Sequence, residues 1–136
     1  MVNFGRTNKI EFVSSLDFNP EKYIMPKLSL QPLIENAVKH GLQKGVIYPT
    51  IRLRGRLTSI NSIVITITDN GKGMQPETLE ALRRQLTENA PSKEGIGLGN
   101  VSQRFLLLYG KDYGLTIDSL PDMGTNISLH LPLEPV

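Results

Sequence analysis

One predicted helix of this 136-residue chain carries polar side chains that suit phosphate and metal chemistry. Hydrophobic periodicity predicts a helix over residues 29–42. At 100° per residue, Asn36, Lys39 and His40 lie on one side of that helix and can converge on one ligand. An asparagine carbonyl oxygen suits Mg²⁺, and a lysine ammonium suits phosphate. The alternative is an ordinary solvated face that carries a Glu35–Lys39 ion pair.

A second segment with chemical potential is DNGKG, residues 69–73, which follows a predicted strand. Asn-Gly between two strands indicates a hairpin. Here Pro76 opens a helix instead of a second strand, and this weakens the hairpin interpretation. The two glycines allow the backbone to pass close to a flat ligand, while Asp69 is placed to accept a hydrogen bond from an amino group.

Glycines also recur in GIGLGN, residues 95–100, directly before a predicted helix. Such glycines expose backbone N–H groups at the helix N-terminus, which suits an anion. The alternative is a flexible glycine linker. The segment is not a dinucleotide fingerprint, because Asn100 stands where the third glycine is required, and the chain contains no P-loop motif. Gly124-Thr125 opens the last predicted strand and by itself indicates only a turn.

Composition excludes several other classes of site. The chain has no cysteine and two histidines, which excludes a disulfide framework, a cysteine-ligated zinc site and a thiol nucleophile. The net charge of +2 is too small to predict a nucleic-acid partner. The length and the 39% hydrophobic content suit one globular domain over residues 1–136.

The elements that must position these segments follow from periodicity and from glycine and proline punctuation. Strands are predicted over 9–17, 50–58, 62–69, 113–119 and 125–133. Helices are predicted over 29–42, with Ser29 as N-cap, over 76–88 and over 99–109. The order predicts a two-layer α/β (α+β) sandwich, in which about three helices cover one face of a mixed, largely antiparallel sheet.

Four ordered segments together resemble the ATP-binding catalytic domain of sensor histidine kinases: LQPLIENAVKHG (30–41), DNGKGM (69–74), GIGLGN (95–100) and GTNISLHLP (124–132). The similarity covers about residues 9 to 133. The first segment is most similar to the LytS/YesM-type branch of this Bergerat-fold (GHKL) ATPase superfamily. The resemblance implies the Bergerat fold, with ATP held beside the helices under a mobile lid over about residues 75–98.

The resemblance also implies a role for each site residue. Asn36 is expected to coordinate Mg²⁺, and Lys39 to contact the phosphates with His40 nearby. Asp69 is expected to accept a hydrogen bond from the adenine amino group, with Thr125 near the adenine. Residues 69–74 and 95–100 correspond to the first and second glycine boxes of this family. Their remaining residues are expected to line the nucleotide: Asn70, Gly71, Gly73, Met74, Gly95, Ile96, Gly97, Leu98, Gly99 and Asn100.

Two departures from the family pattern limit the implied chemistry. Hydrolytic relatives have an acidic residue four positions before the asparagine of the first segment, where this chain has Pro32. Slow ATP hydrolysis is therefore expected, with Glu35 as the alternative catalytic carboxylate. The family's acceptor histidine lies on an upstream dimerisation segment that we expect to be absent from these residues, because neither His40 nor His130 has the surroundings of an acceptor.

The expected function is that of the catalytic domain of a two-component protein-histidine kinase, which transfers the γ-phosphoryl group of Mg-ATP to a histidine on a separate segment. One alternative is a module that binds nucleotide or partner proteins without transfer. Another is a Ser/Thr-directed anti-sigma-type kinase of the same superfamily.

Partners are expected on the same basis: the upstream dimerisation and phosphoacceptor helices, and a downstream response regulator. The parent protein is expected to be a homodimer anchored in the cell membrane, with this domain in the cytoplasm. Arg52, Arg54 and Arg56 alternate along one predicted strand. They indicate either a solvent-facing strand side or a docking surface for an acidic partner.

Overall fold

A mixed six-stranded sheet forms one layer of the part that the computed structural model describes, namely residues 2–4, 8–24, 30–41, 46–59, 61–87 and 96–135. Its spatial order is β1-β2-β4-β5-β7-β6. The strands are β1 (Val2–Phe4), β2 (Asn8–Leu16), β4 (Thr50–Ser59), β5 (Ser62–Asp69), β6 (Gly114–Leu120) and β7 (Gly124–Pro132). Only the β2–β4 pairing in this sheet is parallel. The prediction of a mixed, largely antiparallel sheet is therefore confirmed.

The inner face of the sheet carries the hydrophobic core. Ile65 of β5 pairs with Leu129 of β7, and Ile67 pairs with Ile127. Ile117 of β6 continues the row beyond Ile127. All five side chains are buried. Successive side chains of a strand point to opposite faces, so these five share the inner face, while Val64 of β5 is an apolar residue buried on the outer face.

The outer face of the sheet carries the arginines of β4. Arg52, Arg54 and Arg56 are exposed, as expected for a solvent-facing side. Arg54 donates from Nε and from a terminal nitrogen to Asp17 Oδ2, at 2.9 and 2.6 Å. His130 lies on the same face, and burial, followed by the nearby Arg56 charge, lowers the pKa of its imidazole. A docking role for the arginines stays a prediction.

Three helices form the second layer, and each buries one side. They are α1 (Gln31–Asn36), which continues into a wider π-helical turn over Ala37–Gly41, α2 (Pro76–Thr87) and α3 (Ile96–Tyr109). Leu33 of α1, Leu82 of α2 and Phe105 of α3 all join the core cluster beneath them. The predicted coverage of one sheet face by helices is confirmed. None of the helices among the described residues combines the length and apolarity needed to span a membrane.

The ends of two helices differ from the prediction. Leu30 occupies the N-cap position of α1 without a side-chain capping bond, so the N-cap assignment of Ser29 is wrong, and Ser29 itself lies outside the described residues. Pro32 reduces the need for a cap, because it has no N–H group that would lack a partner in the first turn. Helix α3 begins at Ile96, three residues before the predicted Gly99. Glycine lowers helix propensity, which explains why the pattern placed the start too late.

Two short elements that were not predicted follow β2. Pro20–Lys22 form a 3₁₀ turn whose N-cap Asn19 accepts a hydrogen bond from the Glu21 N–H at 3.1 Å. Strand β3 (Tyr23–Ile24) then pairs with β8 (Glu134–Pro135) in a separate two-stranded ribbon. Two-residue strands are too short to show a periodicity, so the sequence pattern does not reveal them.

The predicted lid over about residues 75–98 contains one helix that the structure describes. Residues 76–87 form α2, whose Leu79, Leu82 and Leu86 are buried in the core, as the leucine spacing predicted. Residues 88–95 lie outside the described residues. Movement of this segment over a nucleotide stays a prediction.

The edge strand β6 is covered by side chains of the helical layer. Arg83 of α2 donates from Nε to the Ile117 carbonyl at 3.0 Å and pairs with Asp118 at 2.6 Å. Ser102 of α3 accepts from the Leu115 N–H at 3.3 Å. Unpaired edge groups are templates for pairing with another chain, so these bonds protect the domain from edge-to-edge association.

We therefore expect Arg83→Ala to promote self-association through β6. Loss of the exposed ion pair should change the free energy of unfolding by only about 1 kcal/mol or less. Sedimentation velocity over a concentration series should show dimers or larger species for Arg83→Ala. The exposed Arg104 of α3 supplies the control Arg104→Ala, which should remain like the wild type. Identical sedimentation of all three proteins would contradict this role.

Candidate functional site

A row of side chains crosses three strands at one end of the sheet. Asp69 ends β5, Thr125 lies opposite it on β7, and Ser119 lies opposite Thr125 on β6. Because side chains alternate between faces, this row shares the inner face with Ile67 and Ile127. The row therefore lies on the helix-facing side, where the core gives way to polar atoms.

Asp69 is a buried carboxylate, with 3% of the residue exposed. Its Oδ1 accepts from the Gly71 N–H at 2.8 Å, and the Thr125 N–H donates to the same carboxylate. Burial raises the pKa of Asp69 to about 6 in spite of these two bonds. A carboxylate can accept about four hydrogen bonds, so acceptor capacity remains for an amino group.

Two glycines allow close backbone contact between the end of β5 with its following loop and the turn between β6 and β7. Gly73 has φ +67°, and a Cβ there would overlap the Leu120 carbonyl oxygen. Gly124 has φ +92°, and a Cβ there would overlap the Asp69 carbonyl oxygen. Only glycine fits such close backbone approaches at positive φ. The expectation that Gly73 shapes this loop thus has a steric basis, while its contact with a nucleotide stays a prediction.

Asn70 ties the same loop to the start of β4. Its Oδ1 accepts from the Thr50 N–H at 2.8 Å, and its Nδ2 donates to the Tyr48 carbonyl at 2.9 Å. Tyr48 has φ +53°, an unusual value that these bonds help to hold. The carboxamide thus positions residues 48–50, and nucleotide contact by Asn70 stays a prediction.

The polar side of α1 differs in geometry from the predicted one. Asn36 is the last α-helical residue, and the π-helical turn that follows contains Lys39 and His40. A π turn advances less than 100° per residue, so the α-helical spacing assumed for these residues does not hold beyond Asn36, and their convergence on one ligand stays a prediction. Asn36 is half-buried and Lys39 is exposed, while the His40 side chain lies outside the described residues. The Glu35 carboxylate accepts from Gln31 Nε2 at 2.8 Å.

The second glycine box forms the first turn of α3 instead of a loop. Gly97 and Gly99 lie inside the helix, and among the described residues no atom outside the helix's own backbone and the neighbouring residues lies within 4 Å of a Cβ built on Gly99. Leu98 is 2% exposed and its side chain belongs to the core, so contact of this residue with the nucleotide stays a prediction for its backbone. Asn100 is exposed, and Gly95 lies outside the described residues. Met74 packs partly buried against the core.

Ser119 is a site residue that the sequence analysis missed. Its hydroxyl donates to the Gly124 carbonyl at 2.9 Å and lies 2.9 Å from Thr125 Oγ1. The predicted strands 113–119 and 125–133 contained the necessary signal. If they pair as neighbours in sequence, the last residue of one, Ser119, lies opposite the first residue of the other, Thr125, as the structure shows.

Comparison with known proteins identifies the family. A family model described as "Histidine kinase-, DNA gyrase B-, and HSP90-like ATPase" matches residues 24–135, which include all four of the segments singled out above. The chain belongs to this family. As a domain of this ATPase family it binds ATP, and the Asp69 row and both glycine boxes lie inside the matched region.

Relatives of this ATPase domain include two sensor proteins of Bacillus subtilis. The chain is 33% identical over 129 residues to "Sensor histidine kinase YesM", covering 95% of this chain and 21% of that protein. It is 33% identical over 130 residues to "Sensor protein LytS", covering 93% of this chain and 21% of that protein. The chain thus corresponds to one part of much longer relatives.

Solved structures show the same fold. The mycobacterial sensor histidine kinase MprB matches with a TM-score of 0.62 and 21% identity, over 93% of this chain and 84% of that one. The histidine kinase domain of the Erythrobacter litoralis EL346 blue-light activated kinase matches with a TM-score of 0.57 and 16% identity, over 90% of this chain and 51% of that one. The two-layer architecture of the ATPase domain is confirmed.

Proposed function

We propose that this ATPase domain binds Mg-ATP and transfers the γ-phosphoryl group to a histidine on another segment of a two-component sensor kinase. The observation that carries the proposal is the buried Asp69 carboxylate at the end of β5, held by two backbone N–H groups with acceptor capacity left over. The family match and the sensor-kinase relatives support it.

The adenine end of the site is formed by the Asp69 row. Asp69 accepts a hydrogen bond from the adenine amino group, and Thr125 lies beside that base. Gly71 and Gly73 let the loop backbone approach the flat ring. The carboxylate is already desolvated in the folded domain, so binding of the base requires no further desolvation of this group.

The phosphate end is formed by the first turn of α3 and the π-helical turn. N–H groups at the N-terminus of a helix of 14 residues attract phosphate oxygens, and the open space at Gly99 permits close approach. The exposed Lys39 adds a positive charge, with His40 nearby. These groups position the γ-phosphate and neutralise its charge.

Mg²⁺ fits the donor chemistry of Asn36, whose half-buried side chain offers an oxygen ligand at the end of α1. Within the described residues no group of three or more His, Cys, Asp or Glu side chains is arranged for a metal. This fits Mg²⁺, which commonly takes one or two protein ligands together with substrate phosphates and waters. When bound, Mg²⁺ neutralises phosphate charge.

Slow hydrolysis follows from the same helix. Pro32 offers no carboxylate at the position where hydrolytic relatives have an acidic residue. Glu35 accepts one bond from Gln31 and remains the alternative carboxylate, so a water molecule near the γ-phosphate lacks the base that those relatives supply. We propose that the parent protein is a membrane-anchored homodimer whose own acceptor helices, and then a response regulator, receive the phosphoryl group in the cytoplasm.

A transfer assay tests the proposed function. The chain is mixed with Mg-ATP labelled at the γ-phosphate and with the segment of YesM that precedes the matched region. We expect label on the added segment that is lost in acid and kept in alkali, as for phosphohistidine. ATP binding without transfer would favour the alternative of a nucleotide-binding module, and acid-stable label would favour a Ser/Thr-directed kinase.

Asn36→Ala should abolish transfer by removing the metal ligand. We expect the Mg²⁺-dependent part of ATP affinity to disappear, with transfer reduced by at least about 100-fold. Calorimetric titration with ATP, with and without Mg²⁺, measures the first quantity. Thr68→Ala on the outer sheet face is a control that should keep both. Unchanged Mg²⁺ dependence in Asn36→Ala would overturn the metal role.

Gly99→Ala separates phosphate contact from folding. Alanine favours a helix over glycine by about 1 kcal/mol, so the free energy of unfolding should rise slightly. ATP affinity should fall about tenfold or more because a methyl group occupies the space left for phosphate oxygens, whereas adenosine affinity should not change. Thermal unfolding and competition binding measure these quantities, and equal ATP affinity in both proteins would remove Gly99 from the site.

A further inference from the structure

The hydroxyl groups beside Asp69 form a chain whose proton direction is fixed by the backbone. Ser119 Oγ lies 2.9 Å from the Gly124 carbonyl oxygen and 2.9 Å from Thr125 Oγ1. A carbonyl oxygen only accepts, so the single Ser119 proton goes to Gly124. The second contact then needs the proton of Thr125, and Thr125 must donate to Ser119.

This direction decides what Thr125 presents to its other neighbour. Thr125 is 5% exposed and lies opposite Asp69 on the same sheet face. Because its proton points to β6, its hydroxyl does not donate to the carboxylate. Asp69 accepts instead from the backbone N–H groups of Gly71 and Thr125, which leaves the rest of its acceptor capacity to a ligand.

We infer that Ser119 is a positioning residue for base selection, because it draws the Thr125 proton away from Asp69 and so makes the base-binding end of the site accept hydrogen bonds only. The inference rests on the proposed placement of adenine at Asp69. A purine with an amino group at C6 matches such a surface. A purine with a carbonyl oxygen at C6 meets lone pairs instead and is rejected.

Without Ser119, the Thr125 hydroxyl is free to turn. In Ser119→Ala it can donate to Asp69, where it competes with the adenine amino group, or to a C6 carbonyl oxygen, which it then stabilises. The variant is therefore expected to bind ATP less tightly and inosine triphosphate more tightly. Opposite changes for two ligands of nearly equal size cannot arise from a general loss of structure.

The experiment measures dissociation constants of ATP and inosine triphosphate by calorimetry for three proteins. Wild type should prefer ATP on the order of 100-fold. Ser119→Ala should reduce the preference about tenfold, with inosine triphosphate affinity rising. Ser119→Thr keeps a hydroxyl and should keep the preference. If Ser119→Ala does not fold, Ser119→Cys makes the same test, since a thiol is a weak donor of similar size.

The outcomes separate the inference from the proposed function. An unchanged preference in Ser119→Ala, or an equal loss of affinity for both nucleotides, would overturn the role of Ser119 and leave the adenine site at Asp69 standing. A wild type that binds the two nucleotides equally would overturn the adenine assignment, and the role of Ser119 with it.

Discussion

Asp69→Asn should abolish ATP binding and at the same time stabilise the empty domain at neutral pH. The substitution puts an amide N–H₂ donor where the adenine amino group needs an acceptor, so we expect at least about a 100-fold loss of ATP affinity. The same substitution removes a buried charge whose desolvation raises the pKa of Asp69 to about 6.

The pH dependence follows from the sign of that shift. The folded-state pKa lies above the ordinary value of 3.8, so the folded domain binds the proton more tightly than the unfolded chain. The stabilisation from the neutral carboxyl is complete below about pH 4 and is lost as the pH rises through 6. At pH 7 the ionised group costs about 3 kcal/mol, and the Asp69→Asn variant should recover about 1 to 3 kcal/mol of it.

Denaturant unfolding of wild type and Asp69→Asn between about pH 4 and pH 8 measures this difference. The gap between the two proteins should close as the pH falls through 6. Asp112→Asn, at an exposed position, is the matched control and should show no such pH-dependent gap. Tight ATP binding by Asp69→Asn would overturn the adenine assignment, and a gap independent of pH would overturn the argument from burial.

Gly73→Ala should be the most disruptive single-methyl substitution in the loop after β5. The added Cβ would overlap the Leu120 carbonyl oxygen, and the backbone there has φ +67°. Because a backbone atom cannot rotate away, the loop must leave the β6–β7 turn and break the bond from the Asp122 N–H to the Lys72 carbonyl. We expect about 3 kcal/mol or more of lost stability, with loss of ATP binding.

Gly110→Ala isolates the steric part of that effect. Gly110 also has positive φ, +103°, but in the described part of the chain no atom apart from those of its two neighbours lies within 4 Å of the position that an added Cβ would take. It should therefore show only the backbone penalty, about 1 to 2 kcal/mol, with ATP affinity kept. Thermal unfolding and calorimetry compare the two variants, and similar losses in both would show that φ alone, and not the contact with Leu120, makes Gly73 necessary.

The sheet and its helical cover were predictable because they rest on periodicity. The β-branched run over residues 62–69 predicted a strand and the leucine spacing of α2 predicted a helix with one buried side, and both appear in the structure. The motif spacing also placed Asp69 and Thr125 correctly at strand ends, because residues at the ends of neighbouring antiparallel strands meet at one end of a sheet.

Features that depend on contacts distant in sequence were not predictable. The apolar pattern of residues 29–42 fits ordinary α-helical spacing, so it does not indicate the π-helical turn that follows Asn36. The bonds of Asn70 to residues 48 and 50 cross 20 or more positions and leave no local pattern. The proton direction from Thr125 to Ser119 follows only from the position of the Gly124 carbonyl.

The interlocked strand ends beneath the Asp69 row also bear on how the domain exchanges its ligand. The N–H groups of Gly71 and Thr125 are bonded to the buried Asp69 carboxylate, and Gly124 lets the backbones of β5 and β7 lie in close contact. Deuterium should replace these amide hydrogens only when the whole domain unfolds. We expect this part of the proposed nucleotide site to stay closed while the nucleotide binds and leaves, so that release of the nucleotide depends on other parts of the domain.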